Sequence, residues 1–202
     1  MLETILNTDR EVFLAINGWN SPFFDHVMQF ISGKLSWLPL FLVFLYFIIK
    51  SYGKKWWIVL LMAAFVVFMS DQTSVHLFKN VFERLRPCHD PALEGMVHTV
   101  NGRCGGLYAF VSSHATNVFA MGTFLLILLP AFRRWMIPLV LIWTLSVIYS
   151  RVYLGVHYPL DVIAGSIWGA FLGWIIARFT QGLVLNRYIN SKNKGEFKST
   201  NY

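Results

Sequence analysis

Five apolar runs of helical length constrain what this chain of 202 residues can fold into. They fall at about 36–49, 56–78, 114–130, 136–153 and 160–180. A helix needs about 20 apolar residues to cross the hydrocarbon core of a bilayer, so the first and third runs are on the short side. The composition agrees with a membrane protein, because 56% of the residues are hydrophobic and only 13% are charged. The sequence therefore predicts an all-α, polytopic membrane helical bundle.

The basic residues predict how this bundle is oriented. Lysine and arginine favour the cytoplasmic side of a membrane, and here they cluster at 50–55, at 133–134 and after 178. All three clusters lie on one side if the first span runs inward, and the N-terminus and the 87–112 connection then lie outside. The net charge of +7 does not indicate nucleic-acid binding, because the basic residues interrupt apolar runs. We expect a multi-pass protein of a bacterial-type inner membrane, with no nucleic-acid partner.

The first 35 residues are expected to lie along the outer surface of the membrane. The segments REVFLAINGW and SPFFDHVMQFIS each suit an amphipathic interfacial helix, and a sixth short span near 20–34 is the alternative. The N-terminus lacks the pattern of a cleavable signal peptide. The predicted organisation is an interfacial segment at 1–35, a transmembrane domain at 36–183 and a cytoplasmic tail at 184–202, with a disordered polar end.

Polar residues at the outer end of the second span form the first of three unusual segments. In KNVFERLRP, Lys79 and Arg86 are seven residues apart, which on one continuous α-helix places both cations on nearly the same face. Pro87 is expected to end that helix. A basic interfacial anchor is the alternative interpretation, although the positive-inside tendency predicts few cations on the outer side.

The other two segments bring hydroxyls, histidines and a carboxylate to the same side. In VSSH, Ser112, Ser113 and His114 begin a span, where an N-cap serine and free N–H groups form an anion site; capping alone is the alternative. In SRVYLGVHYPLD, His157 and Asp161 are four residues apart and share a helical face. An aspartate that holds one imidazole nitrogen leaves the other free to act as a base or nucleophile, and a structural ion pair is the alternative.

Cations, a helix N-terminus and two histidines on one membrane face are suited to phosphoryl transfer. Cations neutralise phosphate oxygens, one imidazole attacks phosphorus and the other protonates the leaving oxygen. KNVFERLRP fits Lys-x6-Arg-Pro, VSSH approximates Pro-Ser-Gly-His and SRVYLGVHYPLD fits Ser-Arg-x5-His-x3-Asp. Over about residues 36–180 the chain thus resembles the type 2 phosphatidic acid phosphatase family, which is related to vanadium haloperoxidases. Val111 stands where the family has proline, and Ser113 where it has glycine.

The resemblance implies a role for each matching residue. His157 is expected to be the nucleophile that forms a phosphohistidine, Asp161 to orient it, and His114 to be the general acid for the leaving group. The positions expected to bind the substrate phosphate are Lys79, Arg86, Ser112, Ser113 through its N–H, and Arg151.

The activity that the resemblance implies is hydrolysis of a lipid phosphate or diphosphate at the outer face of the membrane. The candidate substrates are undecaprenyl diphosphate, phosphatidylglycerol phosphate, phosphatidic acid and lipid A. A lipid phosphotransferase is one alternative, since only the acceptor of the phosphoryl group differs. A non-catalytic membrane transporter or scaffold is another, but such a protein is expected to lose the nucleophile or its partner.

The remaining polar residues support weaker expectations. Asp71 lies within a span, where a carboxylate usually faces an internal partner, so we expect it to form hydrogen bonds beneath the site; a proton relay is the alternative. The histidines outside the motifs share no metal-binding spacing, and we expect no metal and no cofactor. Cys88 and Cys104 both fall in the outer loop, where an oxidising compartment could join them; free thiols are the alternative.

Overall fold

The computed structural model describes the backbone of residues 1–199 and the side chains of residues 1–183. Within that part of the chain the fold is all-α, as predicted. The helices are α1 (Leu2–Gly18), α2 (Pro22–Ser32), α3 (Leu38–Tyr52), α4 (Trp56–Thr73), α5 (Asn80–Phe82), α6 (Ser113–Leu128), α7 (Arg133–Tyr153) and α8 (Pro159–Ser199). A π-helical stretch, Ser74–Lys79, joins α4 to α5.

The spanning helices correspond to the five predicted apolar runs. The stretches of the described chain that are long and apolar enough to cross a membrane are Leu35–Phe82, Pro130–Tyr153 and Pro159–Leu183, with Ser113–Leu128 as a shorter apolar helix. The first stretch is divided at Gly53, whose φ of 49° ends α3 and separates it from α4. Helix α2 has only 11 residues and a length of about 16 Å, so it does not form the sixth span considered above.

Contacts between helix ends show which ends of the spans lie together. The Tyr52 hydroxyl donates to the Leu128 carbonyl oxygen at 2.6 Å, which joins the end of α3 to the end of α6. At the opposite end, the Ser74 and Ser113 hydroxyls form a hydrogen bond of 2.7 Å. The basic turns at 50–55 and 133–134 therefore lie at one end of the bundle, and the three polar motifs lie at the other.

Glycines on α8 set how closely it packs against α6. Gly165, Gly169 and Gly173 recur at every fourth residue, and a Cβ at Gly169 would lie 2.2 Å from the Thr116 carbonyl oxygen. A Cβ at Gly173 would lie equally close, 2.2 Å from the Ala120 carbonyl oxygen. Membrane helices approach this closely where the facing residues are small. The contact brings the first turns of α6 and α8 together.

Helix α1 packs on the protein through a stripe that is partly polar. Its buried residues are Asp9, Phe13 and Asn17, which recur at every fourth position and therefore share a face. The Asn17 side-chain amide donates to the Tyr153 carbonyl oxygen at 2.8 Å and to the His98 carbonyl oxygen at 2.9 Å. The fold therefore provides polar partners for this face of α1.

The C-terminal region and the outer loop give two further outcomes. Helix α8 continues to Ser199, whereas the sequence predicts that the polar end INSKNKGEFKSTNY, residues 189–202, is disordered. No proline occurs at 184–199, so no residue of that type interrupts the helix; residues 200–202 lie outside the described chain. In the outer loop Cys88 and Cys104 form a disulfide, as the oxidising environment predicts.

Replacing Gly169 with alanine tests the close contact between α6 and α8. Because the added Cβ would lie 2.2 Å from a backbone oxygen, we expect the free energy of unfolding to fall by about 1–3 kcal/mol. Gly182→Ala is the matched control on the same helix, since no atom lies within 4 Å of its added Cβ; it should be neutral or stabilise by up to about 1 kcal/mol. Thermal unfolding in detergent measures both, and equal melting temperatures would contradict the contact.

Candidate active site

The two cations of the first motif lie on different backbone structures. Lys79 ends the π-helical stretch, whereas the helix stops at Phe82 and Glu83 adopts a left-handed φ of 48°. The predicted continuous helix to Pro87 is therefore wrong. Arg86 lies in an extended segment, and its N–H donates to the Leu107 carbonyl oxygen at 3.1 Å. Pairing with the outer loop supplies the hydrogen bonds that a longer helix would otherwise have made.

Arg86 is nevertheless directed toward the same region as the other cations. It is 8% exposed, and its guanidinium donates to the carbonyl oxygens of Cys104 at 3.0 Å and Tyr108 at 3.3 Å. Lys79 interacts electrostatically with both Arg86 and Arg151. The disulfide-linked loop thus holds one cation beside two that come from the ends of spans.

The second motif begins α6, and its two serines have different surroundings. Ser112 is the N-cap, accepts a hydrogen bond from the Ala115 N–H at 3.5 Å and has no exposed surface. Its own N–H donates to the Asp161 carbonyl oxygen at 3.0 Å, so Ser112 caps α6 and joins it to α8. Ser113 and His114 line an open cavity beside it. Of the two predicted phosphate-binding serines, Ser113 lines this cavity, whereas Ser112 is fully buried beside it.

The third motif turns the chain between α7 and α8. Arg151, in the last turn of α7, donates to the Ser32 hydroxyl of α2, and its buried Nε has no partner within the described chain. Gly155 adopts a φ of 74°, and a Cβ there would lie 2.6 Å from the His98 carbonyl oxygen. Only glycine fits such a close, left-handed turn. The turn places His157 directly before α8.

His157 lies in a buried and strongly positive environment. It is 1% exposed, and its Nδ1 lies 3.5 Å from the Asp161 carboxylate. Burial, together with the charges of Arg151, Arg86 and Lys79, lowers the pKa of His157 well below its usual value of 6.5. The imidazole is therefore neutral at physiological pH and retains a lone pair on one nitrogen.

Asp161 is held by an arginine that the sequence did not single out. Its carboxylate accepts from Arg84 Nη1 at 2.8 Å and from the Tyr158 N–H at 2.8 Å. Arg84 Nη2 also donates to Asp9 of α1 at 2.6 Å, and Asp9 accepts from the Leu160 N–H at 2.9 Å. One guanidinium therefore bridges two buried carboxylates. Arg84 lies inside the motif KNVFERLRP, so its position could have indicated a role in the site. No local pattern in the sequence links Asp9 to the site.

Burial and charge act in opposite directions on this bridge. Burial raises the pKa of the Asp9 carboxyl, and the hydrogen bonds from Arg84 and from the Leu160 N–H oppose that rise. Arg84 also lies over the ring of Tyr158, 4.1 Å from its centroid. The planar guanidinium suits both contacts, because its fork meets two carboxylates while its face covers an aromatic ring.

Asp71 lies beneath this site, as predicted, but without the predicted partner. Its carboxylate makes no hydrogen bond or salt bridge to the described side chains, although it interacts electrostatically with Lys79. Asp71 and His114 line the same cavity of about 530 Å³. The carboxylate therefore faces an open space near the general-acid candidate.

The sequence and the fold both match known proteins. A model of the PAP2 superfamily matches residues 55–184. A lipid A 4'-phosphatase of Bacteroides thetaiotaomicron is 35% identical over 87% of this chain and 78% of its own. A lipid A 4'-phosphatase of Porphyromonas gingivalis is 36% identical over 87% and 74%. The crystal structure of a transmembrane PAP2 type phosphatidylglycerolphosphate phosphatase from Bacillus subtilis aligns with a TM-score of 0.68 at 23% identity, covering 88% of this chain and 87% of that one.

Replacing Arg84 with lysine tests the bridge between the two carboxylates. An ammonium group cannot reproduce the fork, so one buried carboxylate loses its partner, and we expect the free energy of unfolding to fall by about 1–3 kcal/mol. Arg10→Lys is the matched control, because Arg10 pairs with Asp90 at 3.4 Å while its side chain is 42% exposed; such pairs contribute about 0–1 kcal/mol. Thermal unfolding in detergent compares the variants. An Arg84→Lys protein as stable as Arg10→Lys would show that the bridge is dispensable.

Proposed function

The chain belongs to the PAP2 superfamily, and from the geometry of its site we propose that it is a bacterial multi-pass membrane phosphatase that removes a phosphate group from lipid A. The observation that carries this proposal is the convergence of Lys79, Arg86 and Arg151 on the neutral imidazole of His157. Cations around a buried nucleophile favour attack on an anionic phosphate ester, because they neutralise charge on its oxygens in a water-excluded site.

The first step forms a covalent intermediate. His157 Nδ1 lies 3.5 Å from the Asp161 carboxylate and has no other partner within the described chain, so Asp161 stabilises the imidazole from that side while the lone pair on Nε2 attacks phosphorus. A P–N bond forms while the P–O bond to the lipid breaks. The departing oxygen takes a proton from His114, which the negative charge of the bound phosphate holds in its protonated form. Lys79, Arg86 and Arg151 neutralise the remaining phosphate oxygens, joined by the Ser113 N–H at the start of α6.

The second step releases phosphate. A water molecule attacks phosphorus as His114, now neutral, accepts a proton from it. A new P–O bond forms, the P–N bond breaks and its electron pair returns to His157. Inorganic phosphate leaves, and both histidines are restored to their starting protonation states. Asp161 stabilises the positive charge on His157 throughout, as an oriented carboxylate does for other catalytic histidines.

We propose that this chemistry needs no metal ion. Three groups that could ligate a metal come close together among the described residues only at Cys88, His89 and Cys104, and the disulfide there occupies both sulfurs. Near the cations, the Asp161 carboxylate is already bound to Arg84. The arginines and Lys79 supply the neutralisation that magnesium provides in many other phosphoryl-transfer enzymes.

Lipid A is favoured as the substrate over the other candidate lipids. The two lipid A 4'-phosphatases match this chain over most of its length and over most of their own length. The end of the bundle that carries the site lies opposite the basic turns at 50–55 and 133–134. Since basic turns favour the cytoplasmic side, we propose that the site faces the periplasm.

Phosphate release by the reconstituted protein tests these roles. Lipid A should be hydrolysed in excess EDTA, and His157→Ala should abolish that activity. His114→Ala should lower it by about 100-fold or more, yet retain more activity on p-nitrophenyl phosphate, whose leaving group needs no proton. His76→Ala is the matched control, an exposed histidine at the same end of the bundle, and should behave like the parent protein.

Three outcomes would contradict parts of the proposal. Loss of activity in EDTA, restored by magnesium, would overturn the metal-independent mechanism. Equal losses on both substrates in His114→Ala would show that His114 does not protonate the leaving group. Absence of phosphate release from lipid A, with release from a prenyl diphosphate, would overturn the substrate while preserving the chemistry.

A further inference from the structure

The cavity beside His114 has the size and position of a site for the group that leaves the phosphate. Its volume is about 530 Å³, within the range of small-molecule sites, and it lies between α2, α3, α4, α6 and α7. His114, the proton donor to the leaving oxygen in the proposed function, forms part of its wall. This position suits the portion of the substrate attached to that oxygen.

The wall of the cavity is polar at one end and apolar at the other. Asp71, Gln72 and Asn117 line it close to His114, whereas Phe68 and Met121 line it further from the active-site end of their helices. Asn117 lies three residues after His114 on α6 and so shares its face. An occupant with a polar head beside His114 and apolar chains deeper in the membrane matches this division.

Two buried polar atoms in this wall lack hydrogen-bond partners within the described chain. They are the acceptor Asn117 Oδ1 and the donor Trp143 Nε1, and both residues line the cavity. Buried polar groups are nearly always hydrogen-bonded in folded proteins. A ligand that supplies both an N–H or O–H donor and a carbonyl acceptor would satisfy the two atoms together.

The carboxylate of Asp71 adds a further requirement for a donor. It lies in the spanning stretch Leu35–Phe82, where an unpaired charge is unfavourable, and no described side chain forms a salt bridge with it. Hydroxyl and amide N–H groups can bind a carboxylate without carrying charge. A prenyl chain or a diacylglycerol offers no N–H donor, and neither has several hydroxyls.

We propose that this cavity binds the acylated aminosugar to which the phosphate is attached, and that Asn117 and Trp143 recognise its amide and hydroxyl groups. Asn117 Oδ1 accepts from an N–H or O–H of the sugar, and Trp143 Nε1 donates to a carbonyl of an attached acyl chain. The inference rests on the proposed function and extends it, because it assigns selectivity for the sugar to residues outside the phosphate-binding motifs.

Two variants that remove one hydrogen-bonding atom each test the inference. We expect Asn117→Leu and Trp143→Phe to lower kcat/KM for lipid A by about 10-fold or more, since a polar ligand group then loses its partner. The kcat/KM for p-nitrophenyl phosphate, which has no sugar, should change by less than about 3-fold. Ile142→Leu, an apolar exchange on the exposed face of α7 outside this wall, is the matched control and should leave both substrates unaffected.

A binding measurement complements the kinetics. In the His157→Ala background, the phosphate-free acylated disaccharide should bind about 10-fold more weakly after Asn117→Leu. The melting temperature of the double variant should equal that of the His157→Ala protein. Equal effects of Asn117→Leu on both substrates, or unchanged binding of the disaccharide, would overturn the assignment of the cavity. If the parent protein releases no phosphate from lipid A yet binds the disaccharide through Asn117, the proposed function fails and the cavity assignment stands.

Discussion

The structure of the site depends on one buried carboxylate, that of Asp161. It has no exposed surface, and two of the polar contacts of Asp161 tie distant parts of the chain to α8. The carboxylate holds Arg84, which in turn holds Asp9 of α1, and the backbone oxygen holds Ser112 at the start of α6. A buried charge is tolerated only where it is paired and hydrogen-bonded, so removing one partner disturbs the nucleophile as well as the fold.

Packing of the membrane helices makes these contacts possible. The glycines of α8 let its backbone approach that of α6, which brings the capping serine to Asp161 and His114 to the same end of the bundle as His157. The outer loop completes the arrangement, since it fixes Arg86 through two carbonyl oxygens. Rigid spans thus position the histidines, whereas a disulfide-linked loop positions one of the cations.

Much of this could be predicted from the sequence, for identifiable physical reasons. A bilayer requires long apolar helices, so five apolar runs and their basic turns determine the topology, and motif order then brings Lys79, His114 and His157 to one side. The end of the helix at Phe82 could not be predicted, because it depends on pairing with a loop more than 20 residues away. The contact between Arg84 and Asp9 spans 75 residues, and no local spacing reveals it. The glycine repeat was present in the sequence and its role became evident only from the packing.

The central claim is that His157 carries the phosphoryl group during turnover. Rapid alkaline quenching of the reconstituted protein during lipid A hydrolysis, followed by mass spectrometry of its peptides, tests this directly, because phosphohistidine survives alkali. The account predicts a phosphorylated peptide in which the modification maps to His157, at a level that rises in the first turnover and then stays constant. Full turnover without a phosphorylated peptide, or phosphate on His114 in place of His157, would contradict it.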